Sequence, residues 1–264
     1  MNNKEILNIA AIQLDITWGN IEVNLTAAKT FIDNLPDDTD IAILPEMFST
    51  GFICDKTQAI ALAETSEGIT ISTIRQWAQE RDFAICGSFI AQEGECIFNR
   101  AFFILPSGDA TFYDKHHLFS MSGEDSIYTR GSTPIPIINF RGWNIAMAIC
   151  FELRFPAWCR NHADGYDVII FVANWPESRA YAWEHLLIAR AIENQAYVVG
   201  CNRTGIDDYG NYPGHTFIID PTGQKIGTKT SPFIISASMS RPSLLRFRQK
   251  FPVYLEGDRF SIKS

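Results

Sequence analysis

The chain has 264 residues, 46% hydrophobic, 12% aromatic and 20% charged, a balance that excludes a disordered polymer and leaves enough apolar surface for a sizeable core. Its 22 basic and 30 acidic residues give a formal net charge of −8, which argues against a nucleic-acid or anionic-membrane surface and requires any anionic ligand to meet local positive charge. No apolar run approaches membrane-spanning length, and Asn8, Gln13 and Asp15 interrupt the opening MNNKEILNIAAIQLD, so neither a membrane span nor a signal peptide is expected.

A strand is expected over 6–15, where β-branched and aliphatic residues dominate. After Asn20 comes a helix carrying Leu25, Ala28, Ile32 and Leu35 on one face. The run DIAILPE makes 40–46 a buried strand, and Ile71, Ile74 and Trp77 near helical spacing place a helix around 69–81. FAICGSF gives a strand over 83–89, and PSGD (106–109) is the turn of a hairpin that ends at Lys115. The same order then recurs: NIAMAIC (144–150), a short helix near 155–163, DVIIFVAN (167–174), a helix over 179–195, AYVVGCNR (196–203) and a hairpin about DPTG (220–223). Pro and Gly are scattered singly, without a linker or charge run, so one domain over 1–264 is expected, with the tail from about 240 packing on it or on a partner subunit. Two halves, each with its own sheet and helices covering the sheet faces, make a packed sandwich the economical architecture.

Two polar residues close apolar strands. Glu46 ends the second strand of the first half and Cys150 the first strand of the second half, both at carboxyl ends, where loops diverge and crevices form in α/β sheets. Cys150 in IAMAICFELRFP is a candidate nucleophile, although a cysteine in such a strand is more often a buried structural thiol. Beside Pro45, Met47 and Phe48, Glu46 would be desolvated and so suited to carrying protons near neutral pH; alone it reads more often as a solvated loop acid. Lys115, in FYDKHHLF, is either a surface lysine or an ammonium that binds an oxyanion and favours a thiolate.

His116 and His117 would face opposite ways on a strand, and no HxxxH, CxxC, GxGxxG or GxxxxGK[ST] spacing occurs, so neither metal nor nucleotide is read. The cysteines at 54, 86, 96, 150, 159 and 201 form no close pairs, which fits reduced thiols in the cytoplasm.

Taken together and in order, LPEMFSTGF, FYDKHHLF and AMAICFELRFP resemble the nitrilase superfamily of carbon–nitrogen hydrolases over nearly the whole chain. ANWPESRAYAWEHLLIARAIENQAYVVGCNRTG and PGHTFIIDPTG look like its omega-amidase (2-oxoglutaramate amidase) branch, which acts on small dicarboxylate monoamides. The resemblance implies a four-layer αββα sandwich with two mixed sheets and pseudo-two-fold halves, homodimers or larger assemblies, and no cofactor. It places a Glu-Lys-Cys triad on Glu46, Lys115 and Cys150, with Glu124 of MSGED orienting the lysine and the Phe151 backbone N–H sharing the oxyanion hole. Glu152 and Arg154 are expected to pair beneath the nucleophile. Arg179 is the candidate for the far carboxylate of the substrate, and Trp175, Phe48 and Phe119 are candidate apolar walls, with core packing an equal use for each. A nitrilase, a carbamoyl-amide hydrolase, an acyl transferase and a non-catalytic metabolite-binding protein stand as alternatives to the omega-amidase reading.

Overall fold

The apolar opening of the chain becomes strand β1 (Ile6–Ile12) in a computed structural model that describes residues 3–162, 165–258 and 260–262. Asn20 caps the next helix, its side chain accepting from the Val23 N–H, and α1 (Ile21–Asp33) turns Leu25, Ala28 and Ile32 inward. In the first half follow β2 (Ile41–Ile43), α2 (Lys56–Leu62), α3 (Ile69–Arg81), β3 (Ala84–Glu93), β4 (Cys96–Ile104), β5 (Ala110–Asp114) and the one-turn α4 (Glu124–Ile127). The second half runs β6 (Ile137–Phe140), β7 (Trp143–Ile149), β8 (Val168–Ala173), α5 (Ala180–Asn194), β9 (Tyr197–Asn202), β10 (Thr204–Asp207), β11 (Gly210–Pro213), β12 (Phe217–Ile219), β13 (Thr228–Ser231), β14 (Ile234–Ser240) and α6 (Arg241–Lys250).

Two sheets result, ordered β13-β14-β1-β2-β3-β4-β5 and β12-β9-β8-β7-β6, with β10 and β11 forming a separate hairpin. In each sheet three strands are parallel, β1-β2-β3 and β7-β8-β9, and antiparallel strands flank them, so both are mixed. The order β1-β2-β3-β4 matches β7-β8-β9-β12, which is the pseudo-two-fold relation between the halves.

Side chains alternate along β1, and this builds the layers. Leu7, Ile9 and Ala11 point between the sheets against Ile145, Met147 and Val172, whereas Ala10 and Ile12 point outward to Ala28, Ile32, Ile71 and Trp77 of α1 and α3. On the far side Trp183, Leu187 and Ala191 of α5 cover Ala146, Phe171 and Val198. The fold is therefore a four-layer αββα sandwich. Strands covered on both faces must be apolar at every position, which is why the central runs lack a polar alternation.

Three expectations change. The halves do not keep their strands apart, because β13 and β14 cross from the second half to pair beside β1, covering an edge that would otherwise be bare. The helix expected near 155–163 is replaced by a 3-10 turn at Cys150–Arg154 followed by turns, since Pro156 biases Phe155 out of the helical region; Ala163 lies outside the described residues. The strand expected to run through 46 ends at Ile43, so Glu46 sits in the loop beyond it.

Of the tail, α6 is capped by the Ser240 side chain, and its Arg248 donates to the carbonyls of Gln195 and Tyr166, each at 2.8 Å. Arg259, Lys263 and Ser264 lie outside the described residues. Among the described residues no helix is long and apolar enough to cross a membrane.

Candidate active site

Glu46 follows β2 in a turn held from both sides. Met47, left-handed at φ 45, donates its N–H to Ser88 Oγ (2.8 Å), that hydroxyl donates to Asn99 Oδ1 (3.0 Å), and Asn99 Nδ2 returns to Glu46 Oε1 (2.8 Å). From the other sheet Asn174, just after β8, donates its backbone N–H to Glu46 Oε2 (2.9 Å) and its amide to the Glu46 carbonyl (2.6 Å). Glu46 is fully buried, yet its hydrogen bonds come from both halves of the sandwich.

Cys150 follows β7 at φ 46, a left-handed conformation that costs a non-glycine residue of order 1–3 kcal/mol and persists only where neighbours enforce it. Glu152, two residues on, supplies that enforcement. Its carboxylate accepts from the Ile149 N–H (2.8 Å) on one side, and from Tyr113 O–H (2.5 Å) and the His116 N–H (2.9 Å) on the other. One buried side chain thus ties the turn at Cys150 to the loop that carries Lys115.

Lys115 Nζ donates to Glu46 Oε1 (3.0 Å) and to Glu124 Oε1 and Oε2 (2.9 and 3.0 Å), and Asn99 Nδ2 donates to the same two Oε1 atoms (2.8 and 3.2 Å). Glu124 Oε2 also accepts from the Phe119 N–H at 2.6 Å. All four side chains are buried. Burial opposes the lysine's charge, but Glu124 and Glu46 outweigh it and raise its pKa, so Lys115 stays an ammonium. Burial raises the Glu124 pKa too, with Lys115 pulling the other way. At Cys150, burial and then the Glu46 charge raise the thiol pKa well above its ordinary value, against the lowering effect of Lys115. Lys115 thus pulls toward the thiolate, as its charge implies, but burial and the nearby carboxylates outweigh it.

A cavity of ≈ 600 Å³ opens over these groups, lined by Glu46, Lys115, Cys150, Phe151, Phe119, Trp175 and Arg179. Glu124 stands behind Lys115. Phe48 does not reach the cavity: it packs between the first sheet and its helices, edge-on to Phe102 at 6.0 Å, because residues past the left-handed Met47 turn away from the crevice. Glu152 and Arg154 do not pair either. Glu152 points inward to backbone N–H groups, whereas the exposed Arg154 lies with its guanidinium 4.9 Å from the Trp175 ring, on the cavity wall.

Sequence reading missed Arg154, Asn174, Tyr209 and Tyr212 as cavity residues, and Asn99 behind them. Asn99, polar within the apolar β4, and Asn174, which follows β8 as Glu46 follows β2, both left a signal. Tyr209 and Tyr212 arrive on the β10–β11 hairpin, which DDYGN announces as a turn.

His116 and His117 lie beyond β5 in a loop, so strand alternation does not separate them. Their rings are 4.8 Å apart, stacked on Trp158 and Phe155 respectively. Among the described residues no three His, Cys, Asp or Glu side chains are grouped to hold a metal ion. The six cysteines are unpaired.

Residues 8–239 match the family model described as carbon-nitrogen hydrolase. The omega-amidase YafV of Yersinia enterocolitica is 38% identical over 258 residues, 96% of this chain and 98% of that protein. The 2-oxoglutaramate amidase of Bacillus subtilis is 30% identical over 250 residues, 93% of this chain and 95% of its own length. Among solved structures, XC1258 from Xanthomonas campestris, a CN-hydrolase superfamily protein with an arsenic adduct in its active site, superposes with a TM-score of 0.93 at 34% identity, covering 98% of this chain and 100% of that one.

Proposed function

The chain belongs to the carbon–nitrogen hydrolase family, and from that premise we propose that it is an omega-amidase, hydrolysing the terminal carboxamide of a small dicarboxylate monoamide such as 2-oxoglutaramate to the acid and ammonia. The observation that carries the reading is Lys115 Nζ within 3.0 Å of the carboxylates of both Glu46 and Glu124 on the wall of the cavity that Cys150 also lines.

In this reading the resting nucleophile is a thiol. As its sulfur bonds to the amide carbon, the thiol proton passes to Glu46, and the Lys115 ammonium with the Phe151 N–H receives the oxyanion. One such donor is worth about 3–4 kcal/mol of barrier in a water-excluded site. The C–N bond then breaks, Glu46 returns the proton to the leaving ammonia, and a thioester remains on Cys150. Water attacks the thioester with Glu46 taking its proton, the C–S bond breaks, and that proton restores the thiol. Glu124 and Asn99 hold Lys115 and Glu46 in register throughout. Asn174 Oδ1, buried on the cavity wall without a partner among the described residues, is placed to accept from the substrate amide N–H. Arg179 binds the far carboxylate between the walls formed by Trp175 and Phe119.

The proposal extends to a single domain over 1–264, supported by the family match over 8–239 and by α6 docking through Leu244 and Arg248. It includes a homodimer or larger assembly, for which the exposed Leu245, Phe251 and Leu255 offer apolar surface. A cytoplasmic site fits the six unpaired cysteines.

The test is ammonia release from 2-oxoglutaramate, glutamine and a simple nitrile by the wild type and Cys150→Ala. Release from the keto-acid amide that vanishes in the variant is expected. A wild type that attacks only the nitrile, or no substrate in the series, overturns the omega-amidase reading.

A further inference from the structure

The face of β3 and β4 that turns Cys86, Ala101 and Phe103 between the sheets also carries two uncharged polar side chains, Ser88 and Asn99, neither with any exposed surface. Register sets Ser88 opposite Ala101 and Asn99 opposite Ile90, which makes the two diagonal neighbours across the strand pair. A layer of this kind excludes polar groups unless hydrogen bonds hold them. The bonds found here form a closed ring. The Met47 N–H, the first amide after Glu46, donates to Ser88 Oγ, which leaves the hydroxyl proton for Asn99 Oδ1. Asn99 Nδ2 then has two N–H bonds, one for Glu46 Oε1 at 2.8 Å and one for Glu124 Oε1 at 3.2 Å. Every link runs from donor to acceptor in one direction, and the ring ends on the carboxylate of the residue next to which it began.

We infer that Ser88 and Asn99 are positioning residues that stop Glu46 and Glu124 from sharing a proton, Ser88 by fixing which way the Asn99 amide faces and Asn99 by giving one N–H to each carboxylate. This rests on the amidase reading, in which Glu46 must be free to receive the thiol proton, and adds the residues that keep it free. The need arises because Lys115 Nζ reaches the same two Oε1 atoms, at 3.0 and 2.9 Å, so that two buried carboxylates crowd one ammonium. Carboxylates placed together in a buried site favour a proton held between them, and a pair so occupied cannot take another from sulfur. The remaining titratable groups around the pair are Cys150, Cys54 and Tyr128, and Glu152 lies within reach of the lysine's charge; Lys115 is the only cation among these groups. Asn99 makes good the shortage with donors that bring no charge. Were its amide reversed, Oδ1 would stand against both carboxylates, and the Ser88 hydroxyl, by engaging Oδ1, favours the working direction.

The experiment measures kcat and KM for 2-oxoglutaramate across the pH range in wild type, Asn99→Leu and Ser88→Ala. It is paired with NMR of protein isotope-labelled at its glutamate carboxyl carbons, the two resonances being assigned through Glu46→Gln and Glu124→Gln. Asn99→Leu should move the acid limb of kcat/KM upward by about one pH unit. Near neutral pH its kcat should fall about 10–100-fold while KM changes less than about threefold, since no contact to substrate is lost. Ser88→Ala, which removes a single oxygen and so keeps the test open if Asn99→Leu folds poorly, should shift the limb the same way by a smaller step. Both carboxyl resonances should sit at the ionised position in the wild type near neutral pH, and one should move to the protonated position in Asn99→Leu. A fall in kcat with an unmoved acid limb, or carboxyl resonances that titrate alike in wild type and in both variants, would overturn the inference and leave the amidase standing. Conversely, a wild type that releases no ammonia from 2-oxoglutaramate sinks the amidase reading, and the resonances then decide alone whether Ser88 and Asn99 keep the pair unprotonated.

Discussion

At Cys150 burial and Glu46 raise the proton affinity of the sulfur while Lys115 lowers it, and burial leads. Removing the Glu46 charge without changing its shape should therefore pull the thiol pKa down while removing the group that relays the proton. In Glu46→Gln, iodoacetamide should alkylate Cys150 faster near neutral pH and with a lower midpoint than in the wild type, while ammonia release falls about 10²–10⁴-fold. Slower alkylation with an unmoved midpoint would mean that Glu46 is not the thiol's proton partner. This balance was only half legible in the sequence. The motifs pointed to Glu46, Lys115, Cys150 and Glu124, but that Asn99 donates to both carboxylates depends on distances that no motif contains. Arg154 was misjudged because a 3-10 turn, unlike a helix or strand, has no long repeat from which to tell inward from outward residues.

At the scale of elements, the site depends on how the turn after β7 and the loop after β5 are locked together by Glu152. In Glu152→Gln the amide oxygen could still accept from Tyr113 and His116, but its NH₂ would face the Ile149 N–H, leaving donors opposed in a buried site. Such a defect costs about 1–3 kcal/mol. Denaturant unfolding should show that loss, with kcat falling as Lys115 and Cys150 lose their common anchor; a variant as stable as the wild type would show that the turn holds itself. The parallel strands themselves were easy to foresee because cover on both faces forces unbroken apolar runs. Their partners were harder. β13, with the sequence TKTS and mostly exposed, has almost no apolar pattern, and its place is set by β14 rather than by its own residues.

For the molecule as a whole, acid is a weak point that one imidazole helps to set. Burial, with His116 and Arg130 adding like charge, lowers the His117 pKa from 6.5 to about 4. As pH falls through 6.5 the unfolded chain takes up a proton that the folded chain refuses until about 4, so this group removes stability across that interval and no more below it. The melting temperature should decline over this window, and His117→Phe, which keeps the stack on Phe155, should decline less steeply. Parallel declines for the two proteins would rule out His117 as a contributor. The sandwich architecture was legible from the repeated order of strands and helices, whereas the exchange of strands between halves was not, because nothing local in β14 says which sheet it will join.

That exchange also sets an order of assembly during synthesis. The second sheet is complete once Ile219 has been made, but β1 pairs with β14 from Ile6 opposite Ser240 to Ile12 opposite Ile234. A nascent chain must therefore leave the ribosome with its first strand bare along one edge, and keep that edge from other growing chains until residues 234–240 emerge.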